Sequence, residues 1–126
     1  AHPIGCAAAV ETLKVYEDEG MYGNAARLGP VLRREVDAVA ARLSGIRTFV
    51  RGLGLLVCLE AEAPADAWQR LGAELAARRL SLHVDGGRGT AIFSPPLCIR
   101  EDELVAGVRS FGDAAVAAFA SSGGRT

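Results

Sequence analysis

The chain has 126 residues, half of them hydrophobic, and its 14 basic and 15 acidic residues give a formal net charge of −1. A chain of this length and composition is expected to fold as one domain with a packed core. The balanced charge excludes the strongly basic surfaces that bind nucleic acids or anionic membranes, and no apolar run approaches the roughly 20 residues of a membrane span, so we expect neither partner.

Two helices are predicted in the first third of the chain. Pro3 suits a first helical turn, the segment from Ile4 to Asp18 follows it, and Gly20 can end that helix in a left-handed cap. A second helix is predicted from about Asn24 to Leu43, with Gly29-Pro30 expected to kink or restart it. Its apolar residues recur at steps of three and four: Leu28, Leu32, Val36, Val39 and Leu43.

From Ile46 to Glu62 the pattern changes to that of a strand. The run from Leu53 to Leu59 is apolar on both faces, which is typical of a strand in the centre of a sheet. The segment Arg51-Gly52-Leu53-Gly54 divides it as a bend or a tight hairpin. Pro64 then opens a third helix, whose inward residues are predicted to be Trp68, Leu71 and Leu75.

The last third predicts two short strands, Leu80–Val84 and Ala91–Phe93, and a final helix that begins near Glu101. The apolar stripe of this helix comprises Leu104, Val108, Phe111, Ala115 and Phe119. Residues 121–126 are expected to be a frayed tail. The order of elements predicts an α/β fold, a two-layer sandwich in which helices pack on a small, largely antiparallel sheet.

Few residues in this chain are suited to catalysis. Asp85–Gly89 is glycine-rich, but it lacks the spacing of phosphate-binding motifs and precedes a strand, so a plain turn is the favoured interpretation. Lys14 is the only lysine, and its position within the first helix predicts a solvated side chain. We therefore assign no catalytic residue to the chain.

The cysteines and histidines also predict no active centre. Cys6, Cys58 and Cys98 are far apart, each in an apolar stretch, which favours buried free thiols in a reducing cytoplasm over a reactive thiol. His2 and His83 lie about eighty residues apart without a carboxylate cluster, so we expect no metal site.

Four segments resemble motifs of one enzyme family, in the family's order. Ala1–Ala9 is similar to the family's Gly-His-Pro-x-x-x-Ala-Ala-Ala helix start, and Tyr16–Met21 to its Glu-Glu-Gly-Leu helix end. Val50–Leu55 is similar to its Val-Arg-Gly-x-Gly-Leu strand, and Phe93–Ile99 to its x-x-Pro-Pro-Leu-x-Ile element. On these motifs the chain is identified as a member of the class-III, fold-type-I pyridoxal-phosphate aminotransferases. The resemblance implies that residues 1–126 are the C-terminal small domain, without the large cofactor-binding domain.

The resemblance also implies a function, a cofactor and partners. A large domain would supply the lysine that binds pyridoxal 5'-phosphate, and a homodimer would hold the cofactor between its subunits. An amino group would pass from an amine or amino-acid donor to a keto acid or aldehyde. In this chain, the resemblance implies that only Ala1, His2 and Pro3 lie near the cofactor phosphate, and Ala1 replaces the family's usual glycine.

The resemblance singles out two residues for the substrate. Many members of the family have an arginine that grips the α-carboxylate of an amino acid where this chain has Ile92. Members that act on amines place a mobile arginine earlier, in the preceding loop, where Arg88 is the nearest candidate. A solvated arginine in a turn is the other interpretation of Arg88. The loss of the arginine at Ile92 favours an amine, aldehyde or ketone substrate over a plain α-amino acid.

Two alternatives remain open from the sequence. One is a non-catalytic binding or assembly module derived from an aminotransferase small domain, because a chain without the cofactor lysine cannot catalyse the reaction alone. The other is an unrelated ferredoxin-like regulatory domain, which the four ordered motifs disfavour.

Overall fold

The computed structural model describes residues 2–120; Ala1 and the tail expected to fray, residues 121–126, lie outside the described residues. The helices are α1 (Pro3–Asp18), α2 (Met21–Arg42), α3 (Ala65–Ala77) and α4 (Glu101–Ala120). The strands are β1 (Thr48–Leu53), β2 (Leu56–Ala61), β3 (His83–Asp85) and β4 (Thr90–Phe93). This order confirms the predicted succession of elements.

The four strands form one sheet in the order β1-β2-β4-β3, and every neighbouring pair is antiparallel. Alternate residues of the two central strands are buried, namely Val57, Leu59, Ala61, Ala91 and Phe93. Because successive side chains of a strand point to opposite faces, these residues turn one face of the sheet toward the helices. The predicted two-layer α/β sandwich with an antiparallel sheet is confirmed.

The core lies between this face and the apolar sides of α2, α3 and α4. The predicted stripes of α2 and α4 are buried, and the ring of Phe111 meets that of Phe93 edge to face at 4.9 Å between centroids. Trp68 of α3 packs in the same way on Phe119, at 5.2 Å. A polar contact also joins the helices, since Arg109 Nε–H donates to the buried Glu35 carboxylate at 3.2 Å.

The second helix differs from its prediction at its start and at its proline. It begins at Met21, directly after Gly20, whose φ of 61° is the predicted left-handed conformation. It continues through Pro30 without a restart. Leu28 and Leu32, on either side of the proline, are both fully buried in the same core, so packing holds the two halves in line despite the lost backbone hydrogen bond.

The segment from Ile46 to Glu62 forms a tight hairpin, which is one of the two conformations predicted for it. Its turn uses Gly54 at a φ of 57°. The expectation that the whole apolar run is central is wrong at its start, because β1 is an edge strand and Leu53 is 90% exposed. Within this segment only β2 is central, and only its alternate residues are buried, because helices cover a single face of the sheet.

The third strand is shorter than predicted, since only His83–Asp85 pairs with β4. The residues before it serve the end of α3 instead. Arg79 takes a left-handed φ of 54°, and Leu80 N–H donates to Leu75 O at 3.0 Å. This is the hydrogen bond that closes many helix C-termini.

The prediction that all three cysteines are buried is wrong for two of them. Cys6 and Cys98 are exposed and Cys58 is half-buried; all three are free thiols. Cys6 lies on α1, which has no buried residue, and Cys98 lies in the segment between Pro96 and α4. An apolar stretch is buried only where another element packs against it, and the described residues contact α1 mainly near its end, where the ring of Tyr16 meets that of Tyr22 in α2.

Acidic residues occupy the starts of two helices, where the helix dipole favours negative charge. A hydrogen bond from Arg100 holds the pKa of the exposed Asp102 below its usual value. A hydrogen bond from Arg70 does the same for Asp66. The positions of these carboxylates are therefore explained by the helix starts predicted near Glu101 and Pro64. No helix within residues 2–120 is long and apolar enough to cross a membrane.

Candidate functional site

The sheet face turned away from the core is here called the open face. Its side chains alternate along each strand with those that face the core, and they are exposed or half-buried. They are Phe49, Arg51 and Leu53 of β1, Leu56, Cys58 and Glu60 of β2, Thr90 and Ile92 of β4, and His83 and Asp85 of β3.

The strand register arranges these side chains in rows across the sheet. Arg51 pairs with Cys58, Cys58 with Ile92, and Ile92 with His83. Residues directly opposite in an antiparallel sheet share a face, with neighbouring strands roughly 4.8 Å apart. Ile92 therefore stands in one row with a thiol and a histidine beside it and an arginine two strands away.

A groove of about 470 Å³ opens next to Ile92. It forms because β3 is short, so that the chain before His83 diverges from the end of β4. Most of its wall is apolar and includes the core residues Phe93, Leu104 and Phe111, with Glu103 at the start of α4, so the groove lies on the helix side of the sheet. A groove of this size and character suits the apolar part of a small molecule.

Arg88, the other predicted substrate residue, lies in the loop between β3 and β4. Its side chain is 84% exposed, and its Nε is 3.6 Å from Asp85 Oδ2, beyond hydrogen-bonding distance. Asp85 Oδ1 accepts the backbone N–H groups of Gly87 and Arg88 at 3.0 and 3.1 Å. The loop thus shows the predicted plain turn, with an arginine side chain that extends into solvent.

The glycine at the start of this loop has a packing reason. A Cβ on Gly86 would lie 2.8 Å from Cβ of Trp68, which packs beneath the loop. Together with the amide groups already bound by Asp85, this contact accounts for the composition that resembles a phosphate-binding loop.

The sequence reasoning missed one pair of charged residues on the open face. Arg51 Nη2 forms an ion pair with Glu60 Oε1, and the two side chains are 64% and 35% exposed. The signal was present, because Val50 packs against the core and its neighbour on a strand must face the other way. Only the register, however, brings Glu60 within reach of Arg51 and puts Arg51 in the row of Ile92.

The residues predicted to lie near a cofactor phosphate stand at the start of α1. Ala1 lies outside the described residues. His2 is exposed, and its carbonyl accepts the N–H of Cys6 at 3.1 Å, while its side chain does not cap the helix. Pro3 occupies the first helical position, as predicted. No described contact joins His2 or Pro3 to the open face.

Comparison with known proteins identifies the family. The sequence profile of the class-III aminotransferases matches residues 1–115. The chain belongs to the class-III aminotransferase family. Relatives include mitochondrial ornithine aminotransferase of Rattus norvegicus, 35% identical over 82% of this chain and 23% of that protein, and mitochondrial gamma-aminobutyrate transaminase 1 of Oryza sativa subsp. indica, 31% identical over 90% of this chain and 23% of that protein.

The fold of the aminotransferase chain agrees with solved structures of the family. The acetylornithine aminotransferase from Elizabethkingia anophelis superposes with a TM-score of 0.79 and 26% sequence identity, over 91% of this chain and 29% of that one. The chain thus spans about a quarter of the length of the relatives it matches.

The family implies pyridoxal phosphate, but the aminotransferase chain by itself does not fit that cofactor. Its one lysine, Lys14, is 59% exposed, and its Nζ is held 2.7 Å from Glu11 Oε1 on the surface of α1. A lysine that binds the cofactor covalently needs a pocket that positions the ring and excludes water. Within residues 2–120 there is also no group of three or more His, Cys, Asp or Glu side chains placed to hold a metal ion.

Proposed function

We propose that residues 1–126 are the C-terminal small domain of a pyridoxal-phosphate-dependent transaminase. The enzyme moves an amino group from an amine or amino-acid donor to a keto acid or aldehyde, and this domain covers the active site. The lysine that binds the cofactor belongs to a large domain outside this chain. The observation that carries the proposal is the family match over residues 1–115 in a chain that spans only about a quarter of its relatives.

The surface of the chain supports a covering role. Helix α1 has no buried residue among those described, and its large apolar side chains Ile4, Val10 and Leu13 are exposed. Phe49, Leu53 and Leu56 expose more apolar area on the open face. Apolar surface on this scale usually marks a contact with another domain or subunit. We assign these two surfaces to the large domain and to the partner subunit of a homodimer.

The proposed substrate preference depends on Ile92. This half-buried residue offers no hydrogen-bond donor to a carboxylate, whereas an arginine in its place would bind one through two parallel hydrogen bonds. The preferred donor is therefore an amine or an ω-amino compound, and α-amino acids are poorer by about 100-fold or more.

Arg88 is proposed as a mobile cation for the keto-acid partner. Its exposure and its loose contact with Asp85 leave the guanidinium able to swing toward a bound carboxylate. When an amine occupies the site, the same side chain stays in solvent, so one pocket accepts substrates with and without a carboxylate.

The remaining roles concern the start of the chain and its location. Ala1, His2 and Pro3 are proposed to lie near the cofactor phosphate, at the point where α1 leaves the active site, and no further role is assigned to them.

The proposed compartment is the cytoplasm, supported by three cysteines that are all free thiols. Several relatives are named as mitochondrial, so cell fractionation is the measurement that distinguishes the two locations.

The test compares the isolated chain with the full-length polypeptide that contains it. With pyridoxal phosphate, an amine donor and a keto acid, the full-length protein is expected to transaminate and residues 1–126 alone to be inactive. The full-length protein should also turn over the amine faster than an α-amino acid with the same hydrocarbon chain. A full-length protein that binds the cofactor but transfers no amino group would favour the non-catalytic assembly module.

A further inference from the structure

We propose that Arg51 is a second carboxylate-binding residue of the active site, set in the sheet rather than in a mobile loop. This inference rests on the proposed function, in which the open face covers the bound substrate. It identifies the anionic substrate as a carboxylate that lies over Cys58, between Arg51 and Ile92.

The geometry of the row supports this position. Arg51, Cys58 and Ile92 are direct partners across three neighbouring strands and share the open face. The Cα atoms of Arg51 and Ile92 are thus roughly 10 Å apart, two strand spacings, and an extended arginine side chain reaches across much of that gap. The residue between them, Cys58, is small and half-buried. It leaves space above the sheet where a carboxylate can lie.

The ion pair with Glu60 holds the guanidinium without using all of its donors. The contact is made through Nη2, whereas a guanidinium carries five N–H groups arranged as a fork. A guanidinium binds carboxylates in pairs of hydrogen bonds at two edges, Nε with Nη2 and Nη1 with Nη2, which use different hydrogens of Nη2. Glu60 at one edge therefore leaves the other edge free for a carboxylate while it fixes the plane of the group. Arg88 has no comparable support, since its one acidic neighbour is 3.6 Å away.

This arrangement separates the two halves of the reaction. A keto acid presents a carboxylate to Arg51 and its hydrocarbon part to Ile92. An amine donor or an aldehyde acceptor has no carboxylate and gains nothing from Arg51. Removal of the guanidinium should therefore weaken one class of substrate only.

The experiment uses the full-length polypeptide and follows each half-reaction through the absorbance of the cofactor. Arg51→Gln is expected to raise KM for the keto acid by about 10- to 100-fold, the usual effect of losing a charge-assisted pair of hydrogen bonds. The amine half-reaction and the reaction with an aldehyde acceptor should not change. Because Arg51 is fixed in the sheet and does not depend on the loop that carries Arg88, the effect should persist in the Arg88→Ala background.

Glu60→Gln is the matched control, because it removes the same ion pair but keeps the guanidinium. It should leave KM for the keto acid unchanged or lower it. Equal losses in both variants, for all substrates, would mean that the pair only stabilises the sheet and would overturn the proposal. An unchanged KM in an active Arg51→Gln enzyme would also overturn it. A wild-type polypeptide without transaminase activity would contradict the proposed function, and the role of Arg51 with it.

Discussion

Gly29 of α2 lies directly against Gly54 in the turn of the β1–β2 hairpin. A Cβ on Gly29 would stand 2.8 Å from Cα of Gly54, closer than side-chain carbons approach a backbone. Gly29→Ala should therefore destabilise the domain by about 1–3 kcal/mol, because neither the helix nor the turn can shift cheaply. Denaturant unfolding of the isolated chain measures this as a lower midpoint concentration.

Gly72→Ala is the control for that prediction. Gly72 is also helical, in α3, but a Cβ there meets nothing within 4 Å. Alanine is the better helix former, so this variant should gain up to about 1 kcal/mol. If both alanine variants are equally stabilised, α2 does not pack on the hairpin as described.

Phe111→Ala should remove the centre of the core. The side chain is fully buried on α4 and contacts Phe93 edge to face, so its loss leaves a cavity under the sheet. A destabilisation of about 3–5 kcal/mol is expected in equilibrium unfolding. Leu13→Ala, at an exposed position of α1, should change the stability of the isolated chain by less than about 0.5 kcal/mol. Similar losses in the two variants would contradict the assignment of the core face.

The isolated chain should form no stable yellow adduct with pyridoxal phosphate. Lys14 is exposed and paired with Glu11, so water has free access to the amine that would have to form the adduct. Visible absorbance, followed by borohydride reduction and peptide mass analysis, should give the same result for the wild type and for Lys14→Ala. A stable adduct that Lys14→Ala abolishes would show that this chain carries its own cofactor lysine.

Arg88→Ala should affect the full-length enzyme in one half-reaction only. The mobile arginine would bind the keto acid, so KM for that substrate should rise, by about 10-fold for a lost charge-assisted hydrogen bond. The amine half-reaction should stay the same, because the donor has no carboxylate. Rapid turnover of an α-amino acid, unaffected by Arg88→Ala, would instead assign carboxylate binding to an arginine of the large domain.

Sequence reasoning reached the succession of elements and the faces of the long helices. The stripe from Leu104 to Phe119 repeats every three to four residues, and such a period depends only on neighbours along the chain. It failed at Leu53 and Cys6, which are apolar in the sequence and exposed in the structure. An apolar residue is buried only if another element covers it, and local pattern does not specify what lies above.

The candidate site likewise has features that the sequence determines and features that only the tertiary structure determines. That the chain has one lysine, and Ile92 before its Phe-Ser-Pro-Pro element, is a property of the sequence itself. The tertiary structure alone decided that Arg51 shares a row with Ile92. The hairpin that pairs Arg51 with Cys58 is local, but the second pairing joins Cys58 to Ile92, 34 residues further along the chain. A shift of one residue in either pairing would send Arg51 or Ile92 to the opposite face. The sequence determined which groups are present, and the strand register decided which of them meet.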